Sequence, residues 1–346
     1  MLKRTSIVTL FVALSFVSFG FTKNAQALTL TPVRIEVSGD AGSTVTSEIT
    51  LINDRDTEET FYSSYANFEA QGETGSPNFV DPTEGLGTWI KTDEVVVLGP
   101  GTSKIIPVTI TIPSNTEPGG YFAAVFFGTN NPNLGDAGSV SIGAKTGVLV
   151  LLRVNGEVNE QGGILEYDTK DHKRFFTSLP VDFYYRFQNT GGDRVKPEGD
   201  ITVKHFLGFV RAKVPANLVE GNVLPNQIRR FEASWQSKNG NSVAVDENLN
   251  FIENVKNQWV NFAFGYYKAN ISLVYGEGDK ITESSVGIWV FPWQLLITIL
   301  VALFIIRFIW KKISIHRRKE LMSEMREELM KEMNSKNSTE KTHIQF

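Results

Sequence analysis

The chain of 346 residues is long enough for two compact cores, and its 24 Phe with recurrent Val and Thr favour strands. It has no Cys, which excludes disulfides, thiol nucleophiles, thiolate zinc sites and lipid attachment through a lipobox cysteine. The net charge of −4 divides unevenly: residues 28–287 hold 21 Lys+Arg against 32 Asp+Glu (−11), and residues 311–346 hold 9 against 6 (+3), so the middle of the chain lacks the clustered cations that nucleic acid requires.

Residues 1–27 read as a signal peptide. Lys3 and Arg4 form a charged start, Ile7–Phe21 is apolar, and Ala25-Gln26-Ala27 fits a small-x-small cleavage site, which makes Leu28 the mature N-terminus. An uncleaved signal anchor is the alternative.

From Leu28 onward, short runs alternate apolar and polar residues between Gly, Pro, Asn and Asp, the pattern of antiparallel strands with one wet face. Val45, Ile49 and Leu51 share one side of a strand that ends at Asn53. Val108, Ile110 and Ile112 alternate with Thr109 and Thr111 before Pro113. No helical period is read between Leu28 and Val286. A weak internal repeat supports two sandwiches over 28–157 and 158–287. Ile49-Thr50-Leu51-Ile52-Asn53 matches Phe183–Asn189, each with a polar turn behind it. Leu98-Gly99-Pro100-Gly101 matches Val223-Leu224-Pro225-Asn226, each ahead of a strand. Gly120-Tyr121 matches Gly265-Tyr266. In immunoglobulin-like sandwiches a Tyr near the sixth strand bonds back to the backbone at a corner, so Tyr121 and Tyr266 are candidates; ordinary core aromatics are the other reading. Phe206, Leu207 and Phe209 crowd a hairpin tip, where they either contact a partner or pack within the sandwich.

The apolar stretch 288–310 is long enough to cross a bilayer core of about 30 Å. Trp289, Phe291 and Trp293 at one end, and Phe308 and Trp310 at the other, suit the two membrane interfaces. Lys311, Lys312, Arg317, Arg318 and Lys319 then place residues 311–346 in the cytoplasm by the positive-inside rule, with the N-terminal bulk outside. Met322, Met325, Leu329 and Met333 recur at helical spacing in this tail, either as a solvated helix or as a partner-binding stripe; beyond Asn334 disorder is expected.

This order of parts, with the Pro118-Gly119-Gly120-Tyr121 motif, resembles the WxL-interacting surface proteins of Gram-positive bacteria and related exported Ig-like families. The resemblance implies an all-β fold of two tandem immunoglobulin-like β-sandwiches, one C-terminal transmembrane helix and a short helical cytoplasmic tail. It also implies peptidoglycan or surface-glycan binding through the first sandwich and a surface-protein partner for the second. It assigns no ligand-site residue.

The catalytic constellations are weak. His172 and His205 are not spaced as metal ligands, and no nucleophile elbow is present. Gly99–Lys104 lacks the spacing of a phosphate loop and leads into a strand. Asn53–Asp56 and Asn131–Asp136 offer oxygens to a hard cation, although turn hydrogen bonding explains them as well. The expectation is therefore a non-enzymatic, cofactor-free, single-pass cell-surface protein that binds an envelope polymer or partner protein. The alternative is an accessory or sensor subunit of a membrane complex acting through its helix and tail.

Overall fold

The computed structural model describes residues 28–130, 145–237 and 249–343; the signal peptide expected over 1–27 and the candidate cation-binding residues Asn131–Asp136 lie outside them. In the N-terminal half the strands are β1 (Leu28–Thr31), β2 (Arg34–Gly39), β3 (Thr44–Asn53), β4 (Glu59–Gln71) and β5 (Ser76–Val80). They are followed by a single helical turn α1 (Leu86–Trp89), then β6 (Ile90–Lys91), β7 (Val95–Leu98), β8 (Ser103–Thr111), β9 (Gly119–Gly128) and β10 (Lys145–Val154). One sheet runs β1-β3-β8-β6. The other runs β2-β10-β9-β4-β5, with β7 also on β4.

The alternation seen in the sequence is what closes these two sheets on each other. Ile49 and Leu51 of β3, Ile106, Val108 and Ile110 of β8, Val125 and Phe127 of β9, and Val148, Val150 and Leu152 of β10 all enter one core. Every second residue of each strand thus leaves water, at roughly 25 cal/mol per Å² of apolar surface removed.

The C-terminal half has β11 (Gly162–Thr169), β12 (Phe175–Phe176), β13 (Val181–Asn189), β14 (Glu198–His205), β15 (Val210–Pro215), β16 (Gln227–Trp235), a helix α2 (Phe251–Val260), β17 (Gly265–Tyr275) and β18 (Lys280–Val290). Its sheets are β11-β13-β16 and β12-β18-β17-β14-β15, closed over a second, separate core that includes Phe183, Tyr185, Phe187, Trp235, Ile271 and Ile288.

The repeat extends to topology. In each half the leading chain serves both sheets: β1 pairs antiparallel with β3 while β2 runs parallel to β10, and β11 pairs with β13 while β12 runs parallel to β18. Pro32, with no N–H for a ladder, stands where the first of these crossings occurs.

Three sequence expectations are corrected. Ile288–Val290, assigned to the membrane span, form the end of β18; Ile288 and Val290 are buried in the second core. The apolar helix α3 begins at Trp293 and runs to His343, past the expected end of order at Asn334. Helix α2 was not expected between Leu28 and Val286. It is opened by a capping box in which Asn250 and Glu253 satisfy each other's backbone N–H groups, both at 3.0 Å.

Candidate binding cleft at the junction of the two halves

The repeated Asn residues have one structural task. Asn53 is fully buried at the end of β3, and its Nδ2 donates to the carbonyls of Thr57 (2.8 Å), Leu98 (3.0 Å) and Gly99 (3.1 Å). Asn189 ends β13 in the same way, donating to Asp193 (2.7 Å) and Val223 (2.9 Å). Each side-chain Oδ1 also takes a turn N–H, from Arg55 and from Gly191. The two motif pairs of the sequence repeat are therefore halves of one staple.

The Pro118–Tyr121 motif lies where the halves meet. Gly119 has φ +146° and Gly120 sits against the Asp193 carboxylate, so a Cβ at either position would collide with the Gly192–Asp193 turn. The Gly120 N–H donates to the Gly192 carbonyl at 3.0 Å. Beside it Arg153 binds Asp193 at 2.7 Å, which raises the Arg153 pKa against the opposing effect of burial. On another side of the junction the turn between β4 and β5 reaches over: Glu73 pairs with Arg186 of β13, and its carbonyl accepts from the Arg230 N–H at 2.8 Å. The Arg186 hydrogen bond holds the Glu73 carboxyl below its usual range. Arg194 and Asn222 both approach Glu36 of β2, at 3.2 and 3.4 Å.

Between these contacts lies a small cleft of about 70 Å³. Its apolar floor comes from Phe68 and the outward residues Leu149 and Leu151 of β10, and its cationic wall from Arg34 and Arg229. Arg229 is held rigidly. Gly75 and Gly221 flank its guanidinium, leaving no room for a Cβ, and Nη1 donates to the Asn222 carbonyl at 2.8 Å. The same guanidinium lies 5.2 Å from the Phe231 ring centre. Burial lowers its pKa, and the nearby Arg34 charge adds to that effect. Among the described residues no carboxylate lies within 4.0 Å of Arg229, whereas Arg34 pairs with Glu36 at 2.7 Å. A half-buried guanidinium that lines the cleft without a paired carboxylate suits one carboxylate or another small anion.

Sequence reasoning passed over Arg34 and Arg229. A signal existed for the second: period two along β16 puts Arg229 on the same face as buried Phe231 and turns Arg230 the other way.

The residues singled out from sequence are dispersed. Tyr121 donates its hydroxyl to the Glu117 carbonyl at 3.0 Å and packs on Trp89 at 4.9 Å, beside the junction. Tyr266 is placed differently: its hydroxyl lies against Gly287, and it is Tyr267 that bonds the Phe264 backbone at 3.2 Å. Phe206, Leu207 and Phe209 form the exposed tip between β14 and β15, at the far end of the C-terminal half from Asn189. Among the described residues no group of three or more His, Asp and Glu is placed to hold a metal ion.

The chain is similar in fold to solved chaperones and to a PapD-like domain. The class 5 fimbriae chaperone CfaA is 14% identical, covered over 99% of its length and 76% of this chain, with a TM-score of 0.37. The E. coli chaperone DraB is 10% identical, with 98% and 75% covered and a TM-score of 0.32. A PapD-like domain of human CEP192 is 12% identical, with 92% and 40% covered and a TM-score of 0.28. No family model matches the sequence, and no curated protein does.

Proposed function

We propose that the chain is a membrane-tethered, non-enzymatic binding or scaffolding protein that presents two Ig-like domains to a partner outside the membrane. The observation that carries this reading is the continuity of β18 into α3. Only Phe291 and Pro292 separate the last strand from a helix whose most apolar 18-residue window has a mean hydropathy of 2.2, with 11% of that window buried. Such a surface suits lipid rather than water. The basic residues from Lys311 to Lys319 then put the tail in the cytoplasm and the sandwiches outside.

The junction cleft favours a macromolecular partner over a small ligand. At about 70 Å³ it takes a carboxylate or a single side chain, well below the few hundred Å³ typical of cofactor pockets. A surface protein offering an acidic group fits this best. Peptidoglycan, which also carries carboxylates, is the polymer that the resemblance to WxL-interacting proteins implies. The test is capture by the full-length protein in detergent, on immobilised peptidoglycan and from a surface-protein extract. Arg229→Gln is expected to weaken retention at least tenfold while the protein stays folded, which its circular dichroism checks. Retention on neither matrix, or retention indifferent to Arg229, removes this reading.

A second reading draws on the length of α3. Its 51 residues extend for about 77 Å, more than twice a bilayer core. A rigid rod of that length is also what an accessory or sensor subunit uses to contact a partner below the membrane. Exchanging residues 294–310 for an unrelated apolar span separates the two, since a simple tether tolerates the exchange.

A further inference from the structure

Helix α2 is amphipathic in the reverse sense. Asn257, Gln258 and Asn261 face the protein: Asn257 donates to Ser178 Oγ at 3.2 Å, Asn261 donates to Asn257, and Gln258 is buried against α3, bonding Gln294 and accepting the Leu295 N–H at 2.9 Å. The apolar side chains face outward, with Phe251 50%, Ile252 78% and Trp259 69% exposed. A helix on a water-soluble domain does the opposite, because its apolar stripe supplies most of its stability.

Everything around α2 repeats this inversion. The strand ladder aligns His205 of β14 with Tyr267, and Gly265 of β17 with Val290, so the C-terminal end of β14, the start of β17 and the end of β18 share one rim. At that rim the chain exposes Phe206, Leu207 and Phe209 from the hairpin tip, Phe262 and Phe264 ahead of β17, and Trp289 and Phe291 ahead of α3. These groups are joined: His205 stacks on Phe209 at 4.6 Å and meets the Phe264 carbonyl at 3.2 Å, Phe264 lies 5.8 Å from Phe291, and Phe251 lies 6.4 Å from Trp293. Such a patch is costly in water. Its centre is the point where α3 begins its apolar run.

We propose that this rim is a lipid-contact surface, with α2 and the Phe206–Phe209 tip seated at the headgroup–acyl boundary of the same bilayer that α3 enters. The proposal rests on the tether reading above. Three features select lipid as the occupant. The surface is continuous with the candidate span, its aromatic residues are the kind that favour membrane interfaces, and its charge is suitable. Lys204 and Lys268 are directly opposite each other and exposed in the ladder, one residue in from the tip, where like charges ordinarily repel. Arg211 reaches the Phe262 carbonyl at 3.0 Å on the same rim. An anionic headgroup plane offsets that repulsion. The sandwiches are then docked upright on the membrane at three points rather than swinging from a single helix.

The absence of Cys makes the test direct. Full-length protein carrying Ile252→Cys, Leu207→Cys or, as a distant control, Thr46→Cys is labelled with an environment-sensitive fluorophore. It is then reconstituted into phosphatidylcholine–phosphatidylglycerol vesicles. A blue shift and strong quenching by a headgroup-region lipid nitroxide are expected at 252 and 207, with neither at 46. Labels at 252 and 207 that are quenched by aqueous iodide as strongly as the control overturn the proposal. So do labels shielded from both quenchers, which mark a protein partner or a second copy. Flotation of the vesicles keeps the two readings apart. Protein that fails to float defeats the tether itself, whereas protein that floats with both labels in water defeats only the docking.

Discussion

Asn53 shows how one side chain closes a sandwich end. Three backbone carbonyls converge on its Nδ2, and one of them, that of Leu98, belongs to the strand just before the Pro100 turn. Removing the amide takes this donor from the Thr57 and Leu98 carbonyls in a place that water reaches poorly, whereas the Gly99 carbonyl keeps the Thr102 N–H and hydroxyl. Asn53→Ala is therefore expected to cost about 2–4 kcal/mol, and Asn189→Ala, which takes its donor from the Asp193 carbonyl while Val223 keeps the Val195 N–H, somewhat less. Asn53→Asp should be worse than Ala, because a carboxylate turns a donor toward three acceptors into a fourth acceptor. Chemical denaturation of the three variants measures this; an Asp variant as stable as wild type contradicts the staple. Asp168 provides a pH-dependent counterpart. Burial opposes its ionisation, but Arg174, His172 at 2.9 Å and the Thr169 N–H at 2.6 Å outweigh burial and bring its pKa down to about 2 from 3.8. A depressed carboxylate stabilises the fold above its unfolded pKa, and that contribution is lost as protonation begins below it. The gap in melting temperature between wild type and Asp168→Asn is accordingly expected to be full above about pH 4 and to close as pH falls through about 2.

At the scale of elements, what the sequence made legible was whatever obeyed a period. The long strands β3, β8, β13 and β17 bury alternate residues, and Asn53 and Asn189 end β3 and β13 with a residue chosen for its donors. Short pieces were not legible. β12 is two residues long, and its parallel pairing with β18 depends on a partner more than a hundred positions away, which no local pattern encodes. The apolar run at 288–310 was misdivided because a buried strand and a membrane span both read as continuous apolar sequence. Alternation resolves it: Val286, Ile288 and Val290 point into the core while Trp289 is exposed. Helix α2 escaped for a related reason. Its polar face is the buried one, so the expectation that Asn and Gln mark loops points the wrong way there. The cleft was only half legible. Arg229 could be placed by period two, but Gly75 and Gly221, which hold its guanidinium, come from separate turns.

For the whole molecule, the tether reading makes location depend on the middle of α3. The residues between the Trp293 end and Trp310 are almost all apolar, with Arg307 near the tail side where its long stem lets the charge reach headgroups. Leu300 and Ile305 are deeper and exposed on the helix surface, so neither has a protein neighbour to satisfy a charge. An Arg at the centre of a span costs about 2.5–3.5 kcal/mol on insertion scales, so Leu300→Arg with Ile305→Arg together cost roughly 5–7 kcal/mol. This is comparable to the stability of a whole domain and enough to defeat membrane retention. The sandwiches should be unaffected, since their two cores draw on no residue beyond Val290. The double variant is therefore expected to leave the membrane pellet for the soluble fraction while keeping the thermal transition of the β-sandwiches. Leu321→Arg, eleven positions beyond Trp310, should stay in the pellet. Alkaline extraction followed by fractionation measures both. A double variant retained as firmly as wild type would show that α3 is held by protein rather than by lipid, and would shift the balance toward the accessory-subunit reading.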